Sequence, residues 1–239
     1  MMQDKTDHPV FDFSSTPIPE YSHSYCKIID DVFTPEECAE LISLAESDAQ
    51  WAQAAVHYGL GPNQNYVDTS YRNSERILRF DDEAAQKLFQ KLRPYISEIQ
   101  KLEAGAPYSK SMVGAHVLKN FNFKLVGLNE RLSFLRYGPG NYFRSHCDGM
   151  LDLPDGRKSL VTVQIYLGDE GCQGGATRFW SANRKRYVDV DPKPGRVLIF
   201  QQKGLLHSGE DVLKGTKYTL RSDFMFVRER LEDEDAEMS

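Results

Sequence analysis

The second half of this chain restricts its fold most. From Arg131 to Val227 the sequence is a series of short β-rich runs broken by glycine and proline. Eight runs stand out: 131–137, 142–148, 159–167, 176–180, 185–190, 195–201, 205–209 and 216–227. Eight short strands at this spacing predict a sandwich or a jelly roll (double-stranded β-helix), two four-stranded sheets with a mouth between them. Helical patterns come earlier. In "FTPEECAELISLAES", Thr34 can cap, Pro35 takes the first helical position, and Glu37 completes a capping box. Cys38, Leu41, Ile42 and Ala45 then form an apolar stripe. A second helix is expected over "DDEAAQKLF", with Ala85, Leu88, Phe89 and Leu92 on one face, continuing past Pro94 through Ile96 and Ile99. The predicted fold class is α+β, with the N-terminal helices packed on one sheet of the barrel. Residues 1–22 are polar and proline-bearing and read as an extended or disordered arm, with docking on the domain left open. A single domain then spans 23–229, its barrel core about 131–227, and the charge run "RLEDEDAEMS" predicts an acidic, disordered tail over 230–239.

One strand can be read face by face. In "SLVTVQIYL", Val161, Val163, Ile165 and Leu167 are apolar, whereas Thr162, Gln164 and Tyr166 are not. The apolar face should pack under the helices. The polar face should line the interior of the barrel as a small-molecule pocket, which makes Gln164 and Tyr166 candidate substrate contacts.

The segment "NYFRSHCDGM" places His146 and Asp148 two residues apart, on one side of an extended chain together with Arg144. An imidazole and a carboxylate converging in this way begin a divalent metal site; they are also what a wet sheet face looks like. A second histidine on another strand would complete the two-histidine, one-carboxylate triad of non-haem iron oxygenases. Of six histidines, His8 and His23 belong to the N-terminal arm, and His57 and His116 precede the β-rich half. His207, in "GLLHSGEDV", remains. Ten residues later "KYTLRSDFMF" puts Lys217, Thr219 and Arg221 on one strand face. A cation inside a barrel is costly unless it meets an anion. If the metal works with 2-oxoglutarate, the far carboxylate of that cosubstrate needs such a cation, and Lys217 meets the need.

Composition narrows the class. A net charge of -6 disfavours a nucleic-acid partner, which would want a basic stripe. No long uncharged apolar run suggests a membrane span or a signal core. Four cysteines without paired spacing suit a reducing compartment. The expectation is a soluble protein, cytoplasmic or nuclear, with a small-molecule or peptide substrate.

Together "RYGPGNYFRSHCDG", "VQIYLG", "GGATRF", "PGRVLIF" and "HSGEDVLKGTKYTLRSD" resemble the 2-oxoglutarate/Fe(II) dioxygenases of the prolyl 4-hydroxylase superfamily. The resemblance is strong over 131–227 and extends weakly to "YCKIIDDVFTPEECAELISLAE", similar to that family's entry strand and first helix. It implies His146, Asp148 and His207 as ligands of Fe(II) and as the catalytic set, and Lys217 as the anchor of 2-oxoglutarate. Tyr137 would donate to the same carboxylate and Thr177 would line its pocket. Arg221 shares the face of Lys217 and stays open as the alternative anchor or a supporting contact. Dioxygen is the implied oxidant, with ascorbate as a candidate reductant. The implied reaction is hydroxylation of an aliphatic carbon of a prolyl, amino-acid or small-molecule substrate, releasing succinate and CO2. A nucleic-acid or other demethylase and a non-catalytic barrel remain the alternatives. No collagen-type extra domain is visible, and "DTSYRNSERIL" looks like small single-domain microbial or fungal members. In that stretch Arg72, Ser74 and Arg76 alternate on one face. Arg72 and Ser74 are the candidate substrate contacts there, against the plainer reading of an edge strand blunted by charge.

Overall fold

The computed structural model describes residues 8–57 and 65–231. Within these residues the fold rests on two antiparallel sheets facing each other. The larger has nine strands. Seven run in the order Cys26–Ile29, Val197–Gln201, Arg157–Leu167, Lys217–Arg230, Arg131–Tyr137, Glu75–Phe80 and Ala52–Gln53. Phe121–Leu128 pairs with the far half of Lys217–Arg230, and Lys101–Leu102 pairs with it in turn. The smaller sheet has five strands, ordered Tyr187–Val190, Thr177–Trp180, His207–Gly209, Tyr142–His146 and Arg72–Asn73. All eight sequence-predicted runs contain a strand. The double-stranded β-helix is the observed architecture, widened beyond four strands per sheet by segments from the first half.

The two faces of Arg157–Leu167 separate as their side chains require. Val161, Val163, Ile165 and Leu167 are buried in the main apolar cluster, together with Cys38 and Ala45 of α1 (Pro35–Glu46) and Ala85, Leu88 and Leu92 of α2 (Asp82–Leu92). Each such side chain contributes about 1.5–3 kcal/mol by leaving water, so this layer fixes the larger sheet rigidly behind the cavity. The helices start where their caps dictate. Thr34 Oγ1 accepts from the Glu37 amide at 3.2 Å, and Glu37 Oε2 accepts from the Thr34 amide at 2.8 Å. Asp81 Oδ1 caps α2 through the Ala84 amide. α2 stops at Leu92 instead of continuing through Pro94, whose ring removes a donor and clashes with the preceding turn. Two 3-10 turns, Arg93–Tyr95 and Ser97–Ile99, carry on and still bury Ile96 and Ile99 completely.

The N-terminal arm is docked over its described part, which corrects the expectation of an extended or disordered segment. Phe13 and Ile18 are buried in a second cluster with Phe179 and Phe200, and the Phe11 amide donates to the Cys26 carbonyl. Two 3-10 turns, Phe13–Ser15 and Pro19–Tyr21, shape the segment. Its aromatic residues supply the burial that holds it. The predicted acidic tail lies outside the described residues, except that Arg230 ends the last strand and Leu231 follows it. Among the described residues no helix is long and apolar enough to cross a membrane.

Candidate active site

His146 and His207 are cross-strand partners on the smaller sheet. Between Phe143 and His146 the register shifts. Such a bulge adds one residue and resets which side chains share a face. Phe143 and His146 therefore point the same way, their rings stacked with centroids 3.8 Å apart. Arg144 turns outward, lying over the Tyr142 ring and pairing with Asp211 at 3.1 Å. The bulge breaks the period-two count that had put Arg144 beside His146 and Asp148. Asp148 lies just beyond the strand and turns its carboxylate back between the imidazoles. Its Oδ1 is 3.7 Å from His146 Nε2 and its Oδ2 is 3.8 Å from His207 Nε2. Ligand atoms of the three residues all lie within 4.8 Å of one another.

Both imidazoles are oriented by backbone carbonyls. His146 Nδ1 contacts the Arg144 carbonyl at 2.8 Å and His207 Nδ1 the Leu205 carbonyl at 3.0 Å. A carbonyl can only accept, so each Nδ1 carries the proton and each Nε2 presents a lone pair toward Asp148. Burial, with the neighbouring His207, pushes the pKa of His146 down to about 3, so it is neutral and ready to bind a metal. Burial opposes ionisation of Asp148. The adjacent Arg221 guanidinium, with the hydrogen bond from Thr162, overcomes it and holds the carboxyl well below its usual range. Thr162 Oγ1 donates to Asp148 Oδ2 at 2.6 Å, and Arg221 Nη2 bridges Asp148 Oδ1 at 3.3 Å and Asp223 Oδ1 at 3.1 Å. Two imidazole nitrogens and one carboxylate oxygen are the donor set for a ferrous ion. The residues fit the metal.

These groups sit at one end of a cavity of about 310 Å³ between the sheets. Lys217, Thr219 and Arg221 line its floor from Lys217–Arg230, with Tyr137 directly across from Lys217. Lys217 is 4 % exposed, and burial lowers its pKa to about 8. Its Nζ donates to the Gly175 carbonyl at 2.6 Å and lies 5.2 Å from the Tyr137 ring centroid. Gly175 has φ +69°, and a Cβ there would come within 3.2 Å of the Lys217 side chain, so the bare backbone is what lets the two approach. Thr177 Oγ1 accepts from Gln164 Nε2 at 2.9 Å and from the Tyr166 hydroxyl at 2.7 Å. With both lone pairs used, its own proton is left to donate into the cavity. Thr219 Oγ1 is buried with no hydrogen-bond partner. An ammonium with donors beyond its bond to Gly175 and two hydroxyls thus gather in one place, which is what a carboxylate can accept from.

Of the expected substrate contacts, Arg72 lines the cavity, its Nε donating to Ser74 Oγ at 3.1 Å and its guanidinium 4.5 Å from the Phe143 ring centroid. Ser74 and Tyr166 do not line it. Ser74 is buried behind Arg72, and Tyr166 is wholly buried with its hydroxyl committed to Thr177. Gln164 does line it, with its amide bound to the same threonine. Thr162 reaches the cavity, as its polar face predicts, while sequence reasoning missed Phe143 and Arg131, which reach it too. Arg131 was legible: Arg131, Ser133, Leu135 and Tyr137 alternate along Arg131–Tyr137 and all four face inward.

Residues 132–222 match the family model described as the 2OG-Fe(II) oxygenase superfamily. Among solved structures, the chain is similar in fold to a Trichoplax adhaerens prolyl hydroxylase in complex with a hypoxia inducible factor oxygen degradation domain peptide fragment (16% identity, TM-score 0.58, covering 89% of this chain and 88% of that one). It is likewise similar to a Pseudomonas putida prolyl-4-hydroxylase, with 14% identity and TM-score 0.54, covering 89% of this chain and 95% of that one. A comparison with curated protein sequences gives no match. The histidine–aspartate–histidine site and the barrel agree with the family match over residues 132–222, and together they support a 2OG-Fe(II) oxygenase using Fe(II), 2-oxoglutarate and dioxygen.

Proposed function

We propose that the protein hydroxylates an aliphatic carbon, with Fe(II) held by His146, Asp148 and His207 and 2-oxoglutarate anchored by Lys217. The observation that carries this reading is the orientation of both imidazoles by the Arg144 and Leu205 carbonyls, which aims two lone pairs at one carboxylate. When bound, the ferrous ion with 2-oxoglutarate and dioxygen supplies the oxidation, and succinate and CO2 are released. The chain's own residues do the positioning. Thr162 holds Asp148 Oδ2, the oxygen that faces His207, while Oδ1 faces His146. Arg221, engaged by Asp148 and Asp223, keeps that carboxylate ionised. Because Arg221 is already paired beside the metal ligands, Lys217 is the cation free for the distal carboxylate, assisted by Thr177 and Thr219. Gln164 and Tyr166 position Thr177. Phe143 stacked on His146, and Phe200 with its ring centroid 4.8 Å from that of His207, wall off water around the site. A carboxylate at position 148 favours hydroxylation over halogenation, which needs a small residue there to admit a halide. Arg72, supported by Ser74 and stacked on Phe143, is the substrate-side cation.

The test is succinate formation from 2-oxoglutarate with Fe(II), screened over amino acids, proline peptides and metabolites. Wild-type protein should form succinate in an iron-dependent way and the His207→Ala variant should not. Full activity in that variant would overturn the assignment.

A further inference from the structure

Three arginines in the cavity have no acid of their own. Arg72, Arg76 and Arg131 come from three separate strands and line one cavity. Among the described residues none of them pairs with a carboxylate. The acid nearest in effect to Arg131 is Asp223, already bound to Arg221. On the outside of the same molecule, Arg79, Arg136, Arg157, Arg178 and Arg196 each meet an acid within 3.2 Å. The chain has 35 acidic residues, so acids are not scarce. Burial and the neighbouring guanidiniums lower the pKa of Arg76 to about 10 and lower that of Arg131 as well, a sign of mutual repulsion in a partly dehydrated space.

The charges can be followed through. The cavity is lined by five cations, Arg72, Arg76, Arg131, Lys217 and Arg221, and one carboxylate, Asp148. Asp223 beneath Arg221 adds a second. A ferrous ion and a 2-oxoglutarate dianion cancel, which leaves three positive charges facing whatever else enters. A neutral prolyl ring would leave all three without an acceptor. A cavity of about 310 Å³, shared with the cosubstrate, is of a size that suits a small molecule. The net charge of -6 works against a polyanionic polymer.

Resting on the proposed function above, we infer that the substrate is a small molecule carrying at least two carboxylate or phosphate groups, gripped by Arg76 and Arg131 with Arg72 at the third corner. The planar forks of arginine suit such groups in a two-bond geometry. The cluster also gives the metal end its direction: an anion held by three guanidiniums presents the carbon between its charged groups toward His146 and Asp148.

The probe is propane-1,2,3-tricarboxylate, titrated calorimetrically and anaerobically into the full chain loaded with Fe(II) and saturating 2-oxoglutarate. Its trimethyl ester, with the same skeleton and no charge, is the control, and an acidic hexapeptide is a further arm. The triacid should bind at least about tenfold more tightly than the ester, as expected for charge-assisted hydrogen bonds. Arg76→Gln and Arg131→Gln should each weaken it by about tenfold or more, with 2-oxoglutarate affinity changed less than about twofold. Arg131→Lys, which keeps the charge, should recover part of the loss, a result that simple misfolding would not give. Equal affinity for triacid and ester, unchanged triacid affinity in both glutamine variants, an equal loss of 2-oxoglutarate affinity, or tighter binding of the hexapeptide would each overturn the inference. Failure of the underlying reading looks different: the wild type itself would not bind 2-oxoglutarate.

Discussion

The two ends of the cavity handle charge in opposite ways. At the metal end every charge has a partner. Asp148 is shared by Arg221, Thr162 and two imidazoles, and Asp223 is held by Arg221 and Gln202. Elsewhere in the cavity Arg72, Arg76 and Arg131 lie near one another and, among the described residues, without a carboxylate partner. A closed network rigidifies and needs nothing from outside. An unclosed one is tolerable only where an anion completes it, so the difference separates machinery common to the chemistry from the part that selects what is oxidised. Lys217 sits between the two regimes, buried and, among the described residues, hydrogen-bonded to the Gly175 carbonyl alone.

The sharpest way to break this division is Lys217→Ala. Removing the cation from a desolvated carboxylate costs about 2–5 kcal/mol, so the KM for 2-oxoglutarate should rise by well over tenfold in a steady-state succinate assay. If Arg221→Ala raised it and Lys217→Ala did not, the closed and open ends would have to be redrawn. Arg72→Ala comes next. Loss of a charge-assisted contact of about 1.5–3 kcal/mol should reduce substrate-coupled turnover, while succinate formed without substrate and iron binding persist. Equal loss of coupled and uncoupled succinate would place Arg72 with the fold or the cosubstrate. A third test uses pH. With Lys217 lowered to about 8, its protonated form, the one that binds a carboxylate, is complete below that pH and is lost above it. Affinity for 2-oxoglutarate should therefore be flat below pH 8 and fall about tenfold per unit above, some 1.4 kcal/mol each. The Lys217→Ala variant should lose this dependence. The smallest effect belongs to Tyr166→Phe, which frees one lone pair of Thr177. At about 1 kcal/mol for one hydrogen bond, the KM should rise about fivefold with little change in kcat.

The metal end was legible because its residues are local or regularly spaced. His146 and Asp148 are two apart, and Lys217 follows His207 by one strand-length. The eight runs were legible because alternation and turn residues mark them. What escaped depends on register and on long-range packing. The bulge at Phe143–His146 turns Arg144 outward and Phe143 inward, and no residue type announces it. Phe121–Leu128 alternates clearly, with Phe121, Phe123 and Leu125 against Asn122 and Lys124, yet its partner is the far half of Lys217–Arg230, nearly a hundred residues away. Docking of the arm stays open in the sequence because the arm is polar and carries prolines, while in the structure Phe13 and Ile18 bury it. The arginine cluster is the hardest case. Arg72, Arg76 and Arg131 meet only because Glu75–Phe80 pairs with Arg131–Tyr137 and Arg72 pairs with Phe143.

Direct iron binding tests the central claim most plainly. Anaerobic equilibrium dialysis of Fe(II), with thermal unfolding as the check on folding, should be run on the wild type and on His146→Ala, Asp148→Ala and His207→Ala. One tightly held iron per wild-type chain is expected. It should be lost in all three variants, while each still unfolds cooperatively. Retention of iron at wild-type affinity in any one of the folded variants would contradict the assignment.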